Sequence, residues 1–182
     1  MGCYTYSNNC LSRCNCIKNT SEKDDSKEIY KLKNATCSVI SVYSLFEMVK
    51  GSGFIIKKNN QYYIVTCVHI VDENPTDIYI DIQNANNKEG NHQQIRCKIV
   101  GVDKASDIAI LRPLTLEESP SDGFNFYDHP YLKFGNSTNT SIGEKCFVIG
   151  NAFGIDPFSI SEGIVRDNKY VFDLAIESML IS

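Results

Sequence analysis

No stretch of this 182-residue sequence is long and apolar enough to cross a bilayer as a helix; the most hydrophobic run, Cys37 to Val49, is broken by Ser38, Ser41, Ser44 and Glu47. A membrane span is therefore not expected. The opening residues, MGCYTYSNNCLSRC, lack the basic start and apolar run of a secretory leader. Their absence predicts an intracellular, cytoplasmic chain. There is no basic excess either: the formal charge is −4, the pI about 5.4, and Lys and Arg are scattered, so the electrostatic footprint of a nucleic-acid binder is missing. Long amphipathic helices and internal repeats are also absent, which disfavours a parallel α/β fold. What remains, with 42% hydrophobic and 22% charged residues, is the usage of an ordinary folded domain, and the length suits one such domain.

Residues 1–34 are polar, hold a cysteine cluster and the charged run SEKDDSKE, and show neither strand nor helix periodicity. They read as a flexible Cys-rich tail. From Ala35 onward the chain is a succession of β-branched and aromatic runs: TCSVISVYSLF, GSGFIIKK, YYIVTCV, DIYIDIQ, QIRCKIVGV, DIAILRP, EKCFVIG, FSISEGIVR and YVFDLAIESMLIS. Turn signals such as Lys58-Asn59-Asn60 and the stretch from Asn84 to Asn91 separate them, and NANNKEGNHQQ reads as a solvated hairpin loop. Short strands at regular spacing predict an all-β barrel or sandwich.

Amide hydrolysis by a nucleophile needs a base, a carboxylate to orient that base, and donors for the oxyanion. His69 directly follows the apolar run YYIVTCV, and Asp107 opens the apolar run DIAIL. Each would sit at the mouth of a buried strand, where a carboxylate can hold an imidazole in one tautomer. On pattern alone, a histidine at a strand end is more often structural.

The wording around the two residues adds a second signal. GSGFII, YIVTCVHIV, IVGVDKASDIAILRP, LKFGNSTNTSIGEKCFVIGNAFG and SISEGIVR follow in an order and wording that resemble the HtrA branch of trypsin-like serine proteases. The resemblance covers about residues 35–180. It implies a double β-barrel with the active site between the barrels, His69 as general base and acid, and Asp107 as its orienting carboxylate. On that reading the domain is 35–182, with an N-terminal barrel at about 35–115 and a partial C-terminal barrel at about 130–182. The implied substrate is a protein or peptide, bound by strand addition beside the cleft; no cofactor and no metal are implied, and the oligomeric state is unreadable. The chain departs from the family wording at Cys67 for Asn, Asn136 for Asp, Ala152 for Pro, and in a longer loop at 84–94.

The family's nucleophile lies in a Gly-Asn-Ser-Gly-Gly segment, and neither Gly-x-Ser-Gly nor Gly-x-Cys-Gly occurs in the sequence. Ser178 and Ser182 lack flanking glycines that would build an oxyanion hole. The expectation is a chain truncated before its nucleophile, with a second barrel incomplete at its C-terminus and near-background hydrolysis on its own. The alternative is a non-catalytic pseudoprotease that binds peptide or protein partners.

The eight cysteines, without a leader, argue for free thiols or metal ligation over disulfides. Cys3, Cys10, Cys14 and Cys16 could supply thiolates to zinc, but their spacing fits no paired knuckle, and free thiols on a tail are preferred. Gly2-Cys3 lacks the downstream Ser or Thr of a myristoylation signal, having Tyr6 instead. Cys67, Cys97 and Cys146 lie in apolar runs and read as small core residues.

Overall fold

Isoleucine and valine at alternate positions line the inside of a closed barrel. The computed structural model of the chain describes residues 5–6, 29–72, 74–83, 92–121, 124, 126, 129–136, 139–150 and 159–166. In chain order these form β1 (Thr5–Tyr6), a helical turn α1 over 29–34, β2 (Thr36–Ser44), β3 (Glu47–Lys58), β4 (Gln61–Thr66), α2 (Val68–Val71), β5 (Asp77–Gln83), β6 (His92–Asp103), β7 (Ile108–Pro113), β8 (Lys145–Gly150) and β9 (Ser159–Ile164). The strand order β2-β3-β4-β7-β6-β5 closes on itself through antiparallel pairing of β5 with β2. A second, three-stranded sheet has the order β1-β8-β9, and Gly150 of β8 approaches the side chain of Ser52 on β3.

The near-continuous apolar runs of β3, β4 and β7 follow from burial on both faces. Ile55, Ile64, Ala109 and Leu111 point into the barrel with Val39, Ile80, Ile82 and Ile95. Their neighbours Phe54, Ile56, Val65, Ile108 and Ile110 form a second cluster outside it, covered by Leu32, Leu132 and Phe134. Gly53 permits the tight interior: a Cβ there would stand 2.8 Å from methyl carbons of both Ile64 and Val39.

Among the described residues the expected strand runs are present with two adjustments. The expected solvated loop at 84–94 is shorter, because His92, Gln93 and Gln94 belong to β6 and pair with Gln83, Ile82 and Asp81. The run TCSVISVYSLF does not continue through Phe46: the chain reverses at Leu45 and Phe46, pairing Ser44 with Glu47, and EMVK joins β3. Leu45 and Phe46 are 92% and 97% exposed, so their apolar character marks a hairpin tip and not a strand. The Lys58-Asn59-Asn60 turn forms as expected, with Asn59 and Asn60 at φ 49° and 65°, the left-handed region that asparagine tolerates. The turn at 84–91, the run YVFDLAIESMLIS, Ser178, Ser182 and the tail cysteines lie outside the described residues. Among the described residues no helix is long and apolar enough to cross a membrane.

Candidate active site

β4 ends at Thr66, whose hydroxyl donates to the buried Ser52 carbonyl at 2.9 Å. The chain then turns through Cys67 into α2, a single turn that carries His69 on its exposed side while Val68, Ile70 and Val71 are buried. The far end of this turn is held by the Tyr43 hydroxyl, which donates to the Asp72 carbonyl at 2.6 Å, and by Lys104, whose Nζ lies 3.1 Å from both Asp72 carboxylate oxygens. On its inner side Ile70 packs against Gly51, where any Cβ would come within 2.7 Å of two Ile70 carbons.

Asp107 arrives from the β6–β7 turn. Asp103 organises that turn by accepting the backbone N–H groups of Ala105 and Ser106 at 3.0 and 3.3 Å. The Ser106 side chain bonds the same carboxylate and is the main reason its pKa lies below the usual value. Asp107 follows in a left-handed conformation at φ 54°, uncommon for a residue other than glycine, and precedes the first residue of β7.

α2 meets Asp107 through three hydrogen bonds. The Val68 N–H donates to the Asp107 carbonyl at 3.3 Å and the His69 N–H to Asp107 Oδ1 at 3.0 Å. The side chains meet at His69 Nδ1 and Asp107 Oδ2, 2.5 Å apart. Burial pushes the Asp107 carboxyl up, but the backbone N–H and ring of His69, together with the Cys67 side chain, outweigh it and hold the carboxyl below its usual range. An ionised carboxylate only accepts, so Nδ1 carries a proton, and in the neutral form of the ring the lone pair is on Nε2. Both side chains remain about half exposed, 47% for His69 and 46% for Asp107.

The structure thus brings His69 and Asp107 together, and adds a residue that the sequence reading placed elsewhere. Cys97 and Cys146 are buried, as their apolar runs suggest. Cys67 is only partly buried; it packs against the barrel core while its sulfur, a His69 ring nitrogen and an Asp107 oxygen all lie within 4.8 Å of one another. Its position one residue beyond the end of β4, two before His69, was the available signal. Gly51 and Asp103 were likewise unassigned, although both fall within the motif runs that flank the pair.

The family model of the trypsin-like peptidase domain matches residues 51–178, which include α2, the β6–β7 turn and both sheets' connecting segment. The chain belongs to the trypsin-like peptidase domain family. Within this family it is similar to the serine protease HtrA-like of Staphylococcus aureus, being 29% identical over 134 residues in both strain USA300 and strain N315, covering 66% of this chain. The trypsin-like chain spans about 15% of the length of these relatives. Among solved structures, Deg5 superposes with a TM-score of 0.59 at 22% identity, over 82% of this chain and 67% of that one. An HtrA-type protease with a tripeptide gives 0.58 at 20% identity, over 78% and 39%. These likenesses bear out the all-β, HtrA-type trypsin-like fold.

Proposed function

We propose that this chain supplies the general base and its orienting carboxylate to a serine endopeptidase that cleaves peptide bonds in protein substrates. The observation that carries this reading is the 2.5 Å contact between His69 Nδ1 and Asp107 Oδ2, on a half-exposed ring whose Nε2 is the nitrogen left for a nucleophile. In this role Nε2 removes the proton of a serine hydroxyl as it attacks the scissile carbonyl, and Asp107 stabilises the imidazolium that forms. Nε2 then returns the proton to the leaving amine. Membership in the peptidase family and similarity to an HtrA-like serine protease support the same chemistry. The serine itself is not among these 182 residues in its usual glycine-flanked setting, so the reading requires one from further polypeptide.

The test uses a polypeptide that carries residues 1–182 together with a nucleophilic serine, acting on an unstructured protein. His69→Ala and Asp107→Asn should each lower kcat by about 10⁴-fold. Unchanged turnover in either variant removes the assignment. Binding of the unstructured protein without cleavage, at equal affinity in the parent and His69→Ala, would replace it with a non-catalytic peptide-binding role.

A further inference from the structure

We propose that Cys67, His69 and Asp107 form a binding site for one divalent transition metal ion of borderline softness, with zinc the best match. One ligand atom from each residue, Cys67 Sγ, a His69 ring nitrogen and an Asp107 carboxylate oxygen, lies within 4.8 Å of the other two. Tetrahedral zinc, with bonds of about 2.0–2.3 Å, sets its ligand atoms roughly 3.3–3.8 Å apart. The cluster therefore needs to contract by up to about 1.5 Å, while the His69–Asp107 contact of 2.5 Å opens by about 1 Å. The half-exposed His69 and Asp107 side chains can make both adjustments by rotation towards the partly buried Cys67 sulfur, without moving the backbone.

The backbone that carries the ligands is fixed by the contacts that assemble the pair. Val68 and His69 donate backbone hydrogen bonds to Asp107, and Ile70 is seated against Gly51. Such a preformed set lowers the ordering cost of binding. The donor chemistry selects the ion: a thiolate with an imidazole suits zinc and its neighbours and disfavours magnesium and calcium, which prefer oxygen. One thiolate and one carboxylate neutralise a dipositive ion, the imidazole is neutral, and water completes the fourth position.

The proton balance is simple. The Cys67 thiol loses its proton to solvent as the metal–sulfur bond forms, and the His69 proton moves from Nδ1 to Nε2 as the metal takes the Nδ1 lone pair. A ring with a proton on Nε2 has no lone pair there to act as a base. Metal binding is independent of the proposed hydrolysis; only its consequence, reversible inhibition by zinc, rests on that reading.

The test is titration of the full chain with zinc and with cobalt(II), on a background in which Cys3, Cys10, Cys14 and Cys16 are replaced by serine so that the tail thiols do not compete. Cys37 and Cys97 are poor competitors, because burial pushes their thiols well up. One equivalent of zinc should bind, and cobalt should give a thiolate-to-metal charge-transfer band in the near ultraviolet. Cys67→Ser should abolish that band, and Cys67→Ser and Asp107→Asn should each weaken zinc binding at least tenfold. The two variants are read separately, so that a folding defect in one, visible by circular dichroism, leaves the other decisive. No bound zinc on the serine background, or parental affinity in a folded variant, overturns the site whatever the outcome of the protease assays.

Discussion

Gly51 and Ile70 are in a contact that any side chain at position 51 would force to shift. A Cβ at Gly51 would stand 2.7 Å from both Cγ1 and Cδ1 of Ile70, closer than non-bonded carbons come. Ile70 is the residue after His69, so this contact sets how deeply α2 lies against β3 and where the imidazole sits. Gly51→Ala should lower stability by about 1–3 kcal/mol, the usual range for overpacking. In a competent protease it should reduce kcat more than it raises KM, because a displaced base loses transition-state geometry. Urea unfolding and steady-state kinetics measure the two effects; a parental kcat would show that α2 does not depend on this contact.

Asp107 links the site to the acid limb of stability. Its carboxyl is held below the usual range in the folded chain, so its contribution is present above the unfolded carboxyl pKa of about 3.9 and is lost as pH falls through the lower folded value. With the side chain 46% exposed, solvent screening limits this contribution to about 1 kcal/mol or less. Asp107→Asn should therefore be slightly less stable than the parent near pH 6, and the gap should close below about pH 4. Thermal melts across that range in chelating buffer check the sign; a gap that widens in acid would contradict it.

The barrel was legible in the sequence because β3, β4 and β7 are buried on two faces and so leave runs such as GFII, YYIV and IAIL. His69 and Asp107 were legible for a related reason, since each stands at the end of one of these runs. α2 was not, because VHIV extends the apolar run of β4 without a change of composition and a single helical turn is too short to show a period. Cys67 was read as core filler on the same ground: a thiol inside an apolar run gives no sign of which way it faces. The reversal at Leu45 and Phe46 was hidden because both turn residues are apolar, whereas Asn59-Asn60 announced itself through residues that accept positive φ.

His129 supplies a second, independent pH dependence. It is buried among Phe126, Tyr62 and the α1 segment, and its Nε2 has no hydrogen-bond partner among the described residues. Burial pushes its pKa down, more than a backbone hydrogen bond with Asn34 raises it. The folded state thus prefers neutral His129, and stability should fall as pH drops below the unfolded value of about 6.5. His129→Phe removes the unpaired nitrogen, which in a buried site costs about 1–3 kcal/mol, and keeps the edge contact to Phe126. The variant should match or exceed parental stability at pH 8 and exceed it further at pH 5.5; melts at the two values decide, and an unchanged difference would mean that His129 binds its proton equally well in the folded and unfolded states.

Asp103 touches neither the histidine nor any reacting group, yet it shapes the turn that presents Asp107 in its left-handed conformation. Replacing it with alanine frees the N–H groups of Ala105 and Ser106 and lets the turn sample other geometries. Because Asp103 is only partly buried and sits in a surface turn, the loss should fall mainly on positioning and not on the fold: the melting temperature should move little, while kcat in a competent protease drops roughly tenfold, with KM little changed. Asp103→Asn keeps an oxygen that can accept the same two N–H groups and should restore most of the rate. A similar loss of kcat in both variants would point to the charge of Asp103, and not its hydrogen bonds, as the property the site requires.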